Sequence, residues 1–424
     1  MAQVRDFNSY KKQKTKERIQ GGAPAQEKQT RERAASQPES AKAPTEEEAR
    51  KAKSRKMMLR ALAVLAVIAL LSVIAFFAWR DKVYTQMRVA ESVGITDTID
   101  ATCVNLNGYV LQYSRDGMNC MNSKGEVIWN RTYEMQAPVA EVCGGVAAIG
   151  DFNGRTIYVV DTTAPLGEIH TNLPIRGFHV ASQGVVAVIL DDANVTWINL
   201  YDAEGNELAG FRTSMSDSGY PFSVAISPNG LLVCVSFLSY EGTTAKTTLA
   251  FYNFGPVGQN HTDKLVSGFN YDDAIVPYVR FFDDAHGYAV STDRILFFEG
   301  DQMPQVTKQT FLGTEEIRSV YDSTDYVGIV FSGGSDEGAF RLQVYDKKGN
   351  EQFVRYLDHE YENIVFGDRQ VILYDADRWR IIGLDGEDKY EAPFDYSVKV
   401  VIPTTVRGRF LLIGSERIQT IELK

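Results

Sequence analysis

INLYDAEGNELAGFR, Ile198 to Arg212, and LQVYDKKGNEQFVRY, Leu342 to Tyr356, share a Tyr-Asp-x-x-Gly-Asn-Glu core between two apolar runs, 144 positions apart. VTWINLY, Val195 to Tyr201, is rich in β-branched and aromatic residues and predicts a strand. Asp202 opens a turn, because its carboxylate accepts hydrogen bonds from backbone N–H groups two residues on. Gly205 sits where a short hairpin loop requires positive φ, and NELAGF returns as the partner strand. Asp346 and Gly349 repeat both roles, and weaker copies occur at MNSKGEVIW, Met121 to Trp129, and IIGLDGEDKY, Ile381 to Tyr390.

Upstream of each copy lies another recurrent unit: a strand, a short turn and a continuous apolar strand. ASQGVVAVILDDAN and STDYVGIVFSGGSDEG precede the two strong copies, and GGVAAIGDFNG, SPNGLLVCVSF, AHGYAVSTD, DRQVILYDAD and RGRFLLIGSE read the same way. The module is four strands. Copies starting near Ile99, Val139, Phe178, Phe222, Val276, Ile317, Asn363 and Val398 give eight modules of about 43 residues, the length of one propeller blade. A lone four-stranded sheet cannot hide two apolar faces, whereas a closed ring of them buries all. The prediction is an all-β fold, an eight-bladed β-propeller, with seven blades as the alternative because the stretch from Tyr240 to Tyr271 is long and irregular. The last module has only three strands before the chain ends, and KVYTQMRVA, Lys82 to Ala90, is placed to supply the fourth.

Charge divides the chain. Its formal net charge of -11 resolves into about +7 over residues 1–56 and about -20 from Asp81 onward. Between them, ALAVLAVIALLSVIAFFAW, Ala61 to Trp79, carries no charge. Nineteen residues at 1.5 Å rise reach roughly 28 Å, close to the hydrocarbon thickness of a bilayer. Eleven of them are Leu, Ile, Val or Phe, favouring insertion by roughly 5 kcal/mol. A cleaved signal peptide fits poorly, since the run begins some sixty residues in and lacks a clean small-x-small site. Residues 57–80 are therefore expected to form a signal-anchor helix. The basic residues Arg50, Lys51, Lys53, Arg55, Lys56 and Arg60 before it predict a cytoplasmic N-terminus and an extracellular domain over 81–424. Residues 1–56 have too few aliphatics to offset the entropy of ordering and are expected to be a disordered tail.

Four cysteines, Cys103, Cys120, Cys143 and Cys234, all follow the apolar run. Their apolar surroundings favour free thiols acting as small hydrophobes; were a disulfide present, Cys103–Cys120 is the first pair to test.

Two segments carry a resemblance. NSKGEVIW, Asn122 to Trp129, resembles the blade ending of quinoprotein-type propellers, and AISPNGLLV, Ala225 to Val233, resembles the turn of WD-repeat-type and Tol-type propellers. A basic tail, one span and an exported propeller together are similar to an uncharacterised bacterial family of single-pass membrane proteins. The resemblance implies fold and topology, and no activity.

Catalytic spacings are missing. The sequence has no G-x-S-x-G, H-E-x-x-H or G-x-x-x-x-G-K-[ST] pattern. His170, His179, His261, His286 and His359 are scattered singly. Enzymes of the pyrroloquinoline-quinone class use adjacent cysteines and acidic calcium ligands; here there is no Cys-Cys pair, and no cofactor is expected. The acid pairs Asp191-Asp192, Asp272-Asp273, Asp283-Asp284 and Asp375 with Asp377 lack the D-x-[DN]-x-[DN]-G loop that calcium wants. The expected function is a non-enzymatic, membrane-tethered scaffold offering loops on a stiff ring to a protein or cell-envelope polymer. Candidate binding residues are Asp151, Asn153, Asp191, Asp192, Asn194, Tyr240, Glu241 and Asp336. An acidic domain favours basic partners or cations and repels nucleic acid. The alternative is an exported enzyme acting on saccharide or peptide at the central channel, for which convergent carboxylates or a His–acid pair at the axis would speak.

Overall fold

In a computed structural model, residues 46–80, 82–95, 101–192, 195–214, 218–272, 274–335 and 338–424 are described. The chain divides into two units at Arg80/Asp81. The first contains helix α1 (Glu46–Arg80), within which Lys53–Ile74 is long and apolar enough to cross a membrane. The helix begins before the expected boundary. Residues 46–56, assigned from sequence to the tail, are helical, since Glu, Ala, Lys and Arg are strong helix formers. Residues 1–45 of the expected tail lie outside the described residues.

The second unit contains eight four-stranded antiparallel sheets, so the eight-bladed count holds and the seven-bladed one does not. Blades 1 to 7 span 102–132, 138–170, 175–213, 220–271, 278–311, 316–357 and 363–393, each pairing its strands in chain order. Blade 8 takes three strands from 398–423 and its fourth from Met87–Gly94. Met87 pairs with Leu423 and Gly94 with Arg417. The closing strand starts five residues later than KVYTQ predicts, because its register follows the partner strand Arg417–Leu423. Before it, Tyr84 is buried against blades 7 and 8, with its N–H on the Lys389 carbonyl at 2.8 Å.

Closure shows most plainly in the packing. The buried apolar side chains form eight clusters, and each joins one blade to the next. One cluster carries Cys103, Val110 and Met121 of blade 1 against Val400, Ile402 and Leu411 of blade 8, completing the circle. First strands of successive blades touch around the axis, including Thr102–Leu106 with Val398–Pro403. Cys120, Cys143 and Cys234 are free thiols; Cys103, Cys120 and Cys234 are buried in this packing.

The repeated motif now has two jobs. Asp202 Oδ1 accepts the Asn206 N–H at 2.8 Å and Asp346 Oδ1 accepts that of Asn350 at 2.8 Å, so each carboxylate staples its turn between third and fourth strands. Gly205 and Gly349 have φ of +94° and +77°. A Cβ on Gly205 would fall 2.5 Å from the Glu168 carbonyl of blade 2, and one on Gly349 2.5 Å from the Phe297 ring of blade 5. The turn therefore also seats each blade against the one before it. Gly125 and Gly386, in the weaker copies, abut blades 8 and 6 in the same way.

Antiparallel order in every blade sorts the turns. First-to-second and third-to-fourth turns lie on one face, called face A; second-to-third turns and the crossings between blades lie on the other, face B. Because Met87 pairs with the end of a third strand, the chain enters the ring on face A.

Candidate functional site

The sequence-predicted loops are all second-to-third connections, of blades 2, 3, 4 and 6, so the fold gathers them on face B. Their side chains are not equally available. Asp151 Oδ1 accepts the N–H groups of Gln136 and Ala137 at 3.0 and 2.8 Å, tying its turn to the crossing from blade 1. Arg176 donates to Asp191 Oδ2 at 3.0 Å and also to Asn153, linking blades 2 and 3. These three residues work within the ring. Asp192 ends the strand Val186–Asp192, while Asn194 and Asp336 lie outside the described residues.

Two of the segments are not loops. Ser239 to Glu241 and Ser332 to Ser335 are strand, because hairpin pairing runs on through the polar residues: Tyr240 pairs with Ala245, Glu241 with Thr244, and Ser335 with Gly338. The hairpins Leu232–Glu241/Thr244–Asn253 and Tyr326–Ser335/Gly338–Asp346 have strands of nine or ten residues, against five to seven in the other blades. Three extra residues at about 3.4 Å each project roughly 10 Å beyond face B. Between these horns stands the short hairpin of blade 5, His286–Val290/Arg294–Glu299.

Exposed aromatics share this side. Among the described residues of the ring, the large exposed aromatics are Phe152, Trp197, Phe222, Tyr240 and Phe311, each in a second-to-third turn or at the face B end of a strand. Tyr240 on the first horn is 62% exposed, and Phe311 on blade 5 is 70% exposed beneath the Arg294 guanidinium, 4.9 Å from its ring centroid. Glu241 on the same horn is held by Lys246, which also reaches Asp272 at 3.3 Å.

A second site lies on the axis. First strands of blades 2, 3, 5 and 6 bring Glu141, His179, Arg280 and Asp322 to one cavity of about 390 Å3, floored by the first-to-second turns of face A. Arg280 Nη2 donates to Glu141 Oε1 at 2.9 Å. The Tyr288 hydroxyl donates to Asp322 Oδ2 at 2.9 Å. Tyr278 lines the cavity with Arg280 4.7 Å from its ring centroid, while the rings of Phe281 and Phe282 pack on Phe298 and Tyr288 in the cores between blades. Asp322 is exposed, but what it exposes faces the bore, so surrounding protein still strips much of its hydration. Burial pushes the carboxyls of Glu141 and Asp322 above the ordinary range, and the pull of Arg280 offsets this only in part. His179 is buried, and burial with the nearby Arg280 charge holds its imidazole neutral. Its Nδ1 accepts the Ile226 N–H at 3.2 Å, which leaves the proton on Nε2. Nε2 stands 4.0 Å from Glu141 Oε2, beyond hydrogen-bond reach. Cys143, on the cavity wall, has its thiol pushed up to about 11 by burial, away from nucleophilic reactivity.

Convergent carboxylates, with a histidine near one of them but not hydrogen-bonded to it, thus lie at the axis, and local sequence does not assemble them. One local signal existed: PVAEVC and YVRF put a charged residue mid-strand on an inner strand. Among the described residues, no group of three or more His, Cys, Asp or Glu is placed to hold a metal ion.

No curated protein matches the chain in sequence. Crystal structures of similar architecture include the C-terminal WD40 domain of Sif2, at 10% identity over 80% of this chain and 99% of that one, with a TM-score of 0.52. BamB from Moraxella catarrhalis matches at 13% identity over 80% and 100% of the two chains, TM-score 0.46. Sqt1 from Chaetomium thermophilum matches at 13% identity over 78% and 100%, TM-score 0.48. At such identities the likeness to the Sif2 domain is one of fold alone. Residues 80–423 match the model of the family of unknown function DUF5711, and the chain belongs to that family.

Proposed function

We propose that this protein is a non-enzymatic β-propeller, anchored in the cell membrane by Lys53–Ile74, whose face B binds a protein or cell-envelope polymer. The observation that carries this reading is the gathering of exposed aromatics on face B, where two long hairpins flank a lower blade. Aromatic side chains are enriched in interface cores, and leaving them in water is costly unless a partner covers them. The basic flank before the apolar run supports an N-terminus in the cytoplasm and an extracellular ring.

Photo-crosslinking in intact cells tests the reading. A crosslinking residue at Tyr240 or Phe311 is expected to capture one recurrent adduct, and one at Lys348 on face A is not. Protease or glycosidase digestion of the adduct then identifies its polymer class. Equal capture at all three positions, or none at the first two, refutes the proposal.

The enzymatic alternative takes its support from Glu141, His179 and Asp322 at the axis. The tautomer of His179 speaks for binding over turnover: with Nδ1 occupied by Ile226 and the proton on Nε2, the ring offers a substrate a donor and no base.

A further inference from the structure

We propose that the axial cavity is a binding site for a small organic cation, an amine or quaternary ammonium that also carries an oxygen able to accept a hydrogen bond. The proposal stands apart from partner binding on face B and from the membrane tether.

Charge gives the first reason. Glu141 and Asp322 bring two carboxylates to the cavity and Arg280 one guanidinium, while His179 adds no charge. One negative charge in the bore is left to be offset, and a bound cation does so without disturbing the Arg280–Glu141 pair.

The walls decide which kind of cation. Calcium takes six to eight oxygens and magnesium a rigid octahedron, and this cavity presents two carboxylates, each already engaged by Arg280 or Tyr288. The rest of the lining includes Tyr278, with Phe281 and Phe282 beside it packing their rings into the seams to the neighbouring blades. Aromatic faces beside carboxylates attract alkylammonium groups, whose charge is spread over carbon and whose hydration is weak. The volume of about 390 Å3 falls in the range of small-molecule sites.

His179 supplies the independent sign of a ligand. Its side chain is 8% exposed, lines the cavity, and its Nε2–H makes no hydrogen bond. That donor opens onto the cavity, so its acceptor comes from whatever fills the cavity. An oxygen of the ligand beside Nε2 satisfies it, and an alkylammonium without oxygen does not.

Calorimetric titration of the full chain in detergent micelles tests the proposal, with choline, ethanolamine and glycine betaine as probes. At least one is expected to bind, and choline to bind at least tenfold more tightly than dimethylbutanol, its uncharged isostere. Tetramethylammonium, which lacks the oxygen, is expected to bind at least threefold more weakly than choline. D322N is expected to weaken choline binding tenfold or more, while the unliganded protein still folds and melts cooperatively because Tyr288 still donates to the amide oxygen. Silence of all three probes at about 10 mM, or equal binding of choline and its isostere, overturns the proposal. That isostere comparison uses wild-type protein and decides the matter even where the variant fails to fold.

Discussion

Arg280 and Glu141 are separated by 139 residues and three blades, yet they meet in the bore with Nη2 2.9 Å from Oε1. Each is largely buried, at 17% and 22% side-chain exposure. The guanidinium also lowers the cost of the Asp322 charge beside it. A charge pair across the axis ties blade 2 to blade 5 directly, which nearest-neighbour packing in a ring does not do.

Removing one member of that pair leaves the other charged and desolvated. R280M is expected to destabilise the folded chain by about 3 kcal/mol at neutral pH, within the range for a broken buried pair. The double variant R280M/E141L is expected to recover part of the loss, because no unpaired charge stays at Glu141 and Asp322 keeps the Tyr288 hydrogen bond. Denaturant unfolding of the three proteins measures both steps. A double variant no better than the single one would mean that the arginine acts through packing alone.

Acidic groups in this ring pull in opposite directions with pH. Glu141 and Asp322 have native values raised by burial, so the stability they contribute is full below the ordinary carboxylate range and is lost as pH rises through the raised values. Asp283 is held down to about 2: burial alone would raise it, but hydrogen bonds from His286, the Ala285 N–H and Lys347 outweigh burial. Its contribution is present above about pH 4 and lost as pH falls toward 2. D322N should therefore flatten the decline in melting temperature between mildly acid and neutral pH. D283N should cost about 1 kcal/mol at neutral pH, discounted for its partial exposure, and nothing near pH 2. Melting profiles against pH that run parallel for wild type and both variants would contradict the assignment.

Local patterns were readable and assembled ones were not. The Asp-x-x-Gly turn lies within a few residues, and it placed the third and fourth strands of blades 3 and 6 correctly. Predicted starts at Asn363 and Val398 coincide with the first strands of blades 7 and 8, while that at Phe178 falls three residues inside its strand. Tyr240 and Glu241 read as loop because polar residues end most strands; backbone pairing with Thr244 and Ala245 carried the hairpin further. Glu141, His179, Arg280 and Asp322 come from four blades, so no window of sequence holds them together. Only closure of the ring does.

The motif glycines give a test of seating between blades. G349A faces two costs: a φ of +77° that L residues adopt reluctantly, and a Cβ 2.5 Å from the buried Phe297 ring. The expected loss is about 2 kcal/mol or more. Pairing G349A with F297L relieves the ring contact and not the backbone strain, so it should recover part of the loss. Full recovery would place the whole cost in packing, and none would place it in the turn.

Closure depends on one strand from the far end of the chain. Met87–Gly94 covers the outer edge of Arg417–Leu423, and Tyr84 beside it is 5% exposed among Trp379, Phe410 and Leu423. Without that segment, blade 8 is three-stranded, its edge offers unpaired N–H and C=O groups, and the Tyr84 pocket is empty. A chain beginning at residue 96 is therefore expected to aggregate. A separate peptide of residues 82–95 should rescue it, since register is set by pairs from Met87–Leu423 to Gly94–Arg417 and not by the covalent link. Y84A in that peptide should weaken rescue at least tenfold, as a buried aromatic truncation of about 3 kcal/mol would. Rescue unaffected by Y84A would assign the closure to backbone pairing alone; a shortened chain that stays monomeric and melts like the full one would show that seven complete blades and a partial eighth hold the ring without it.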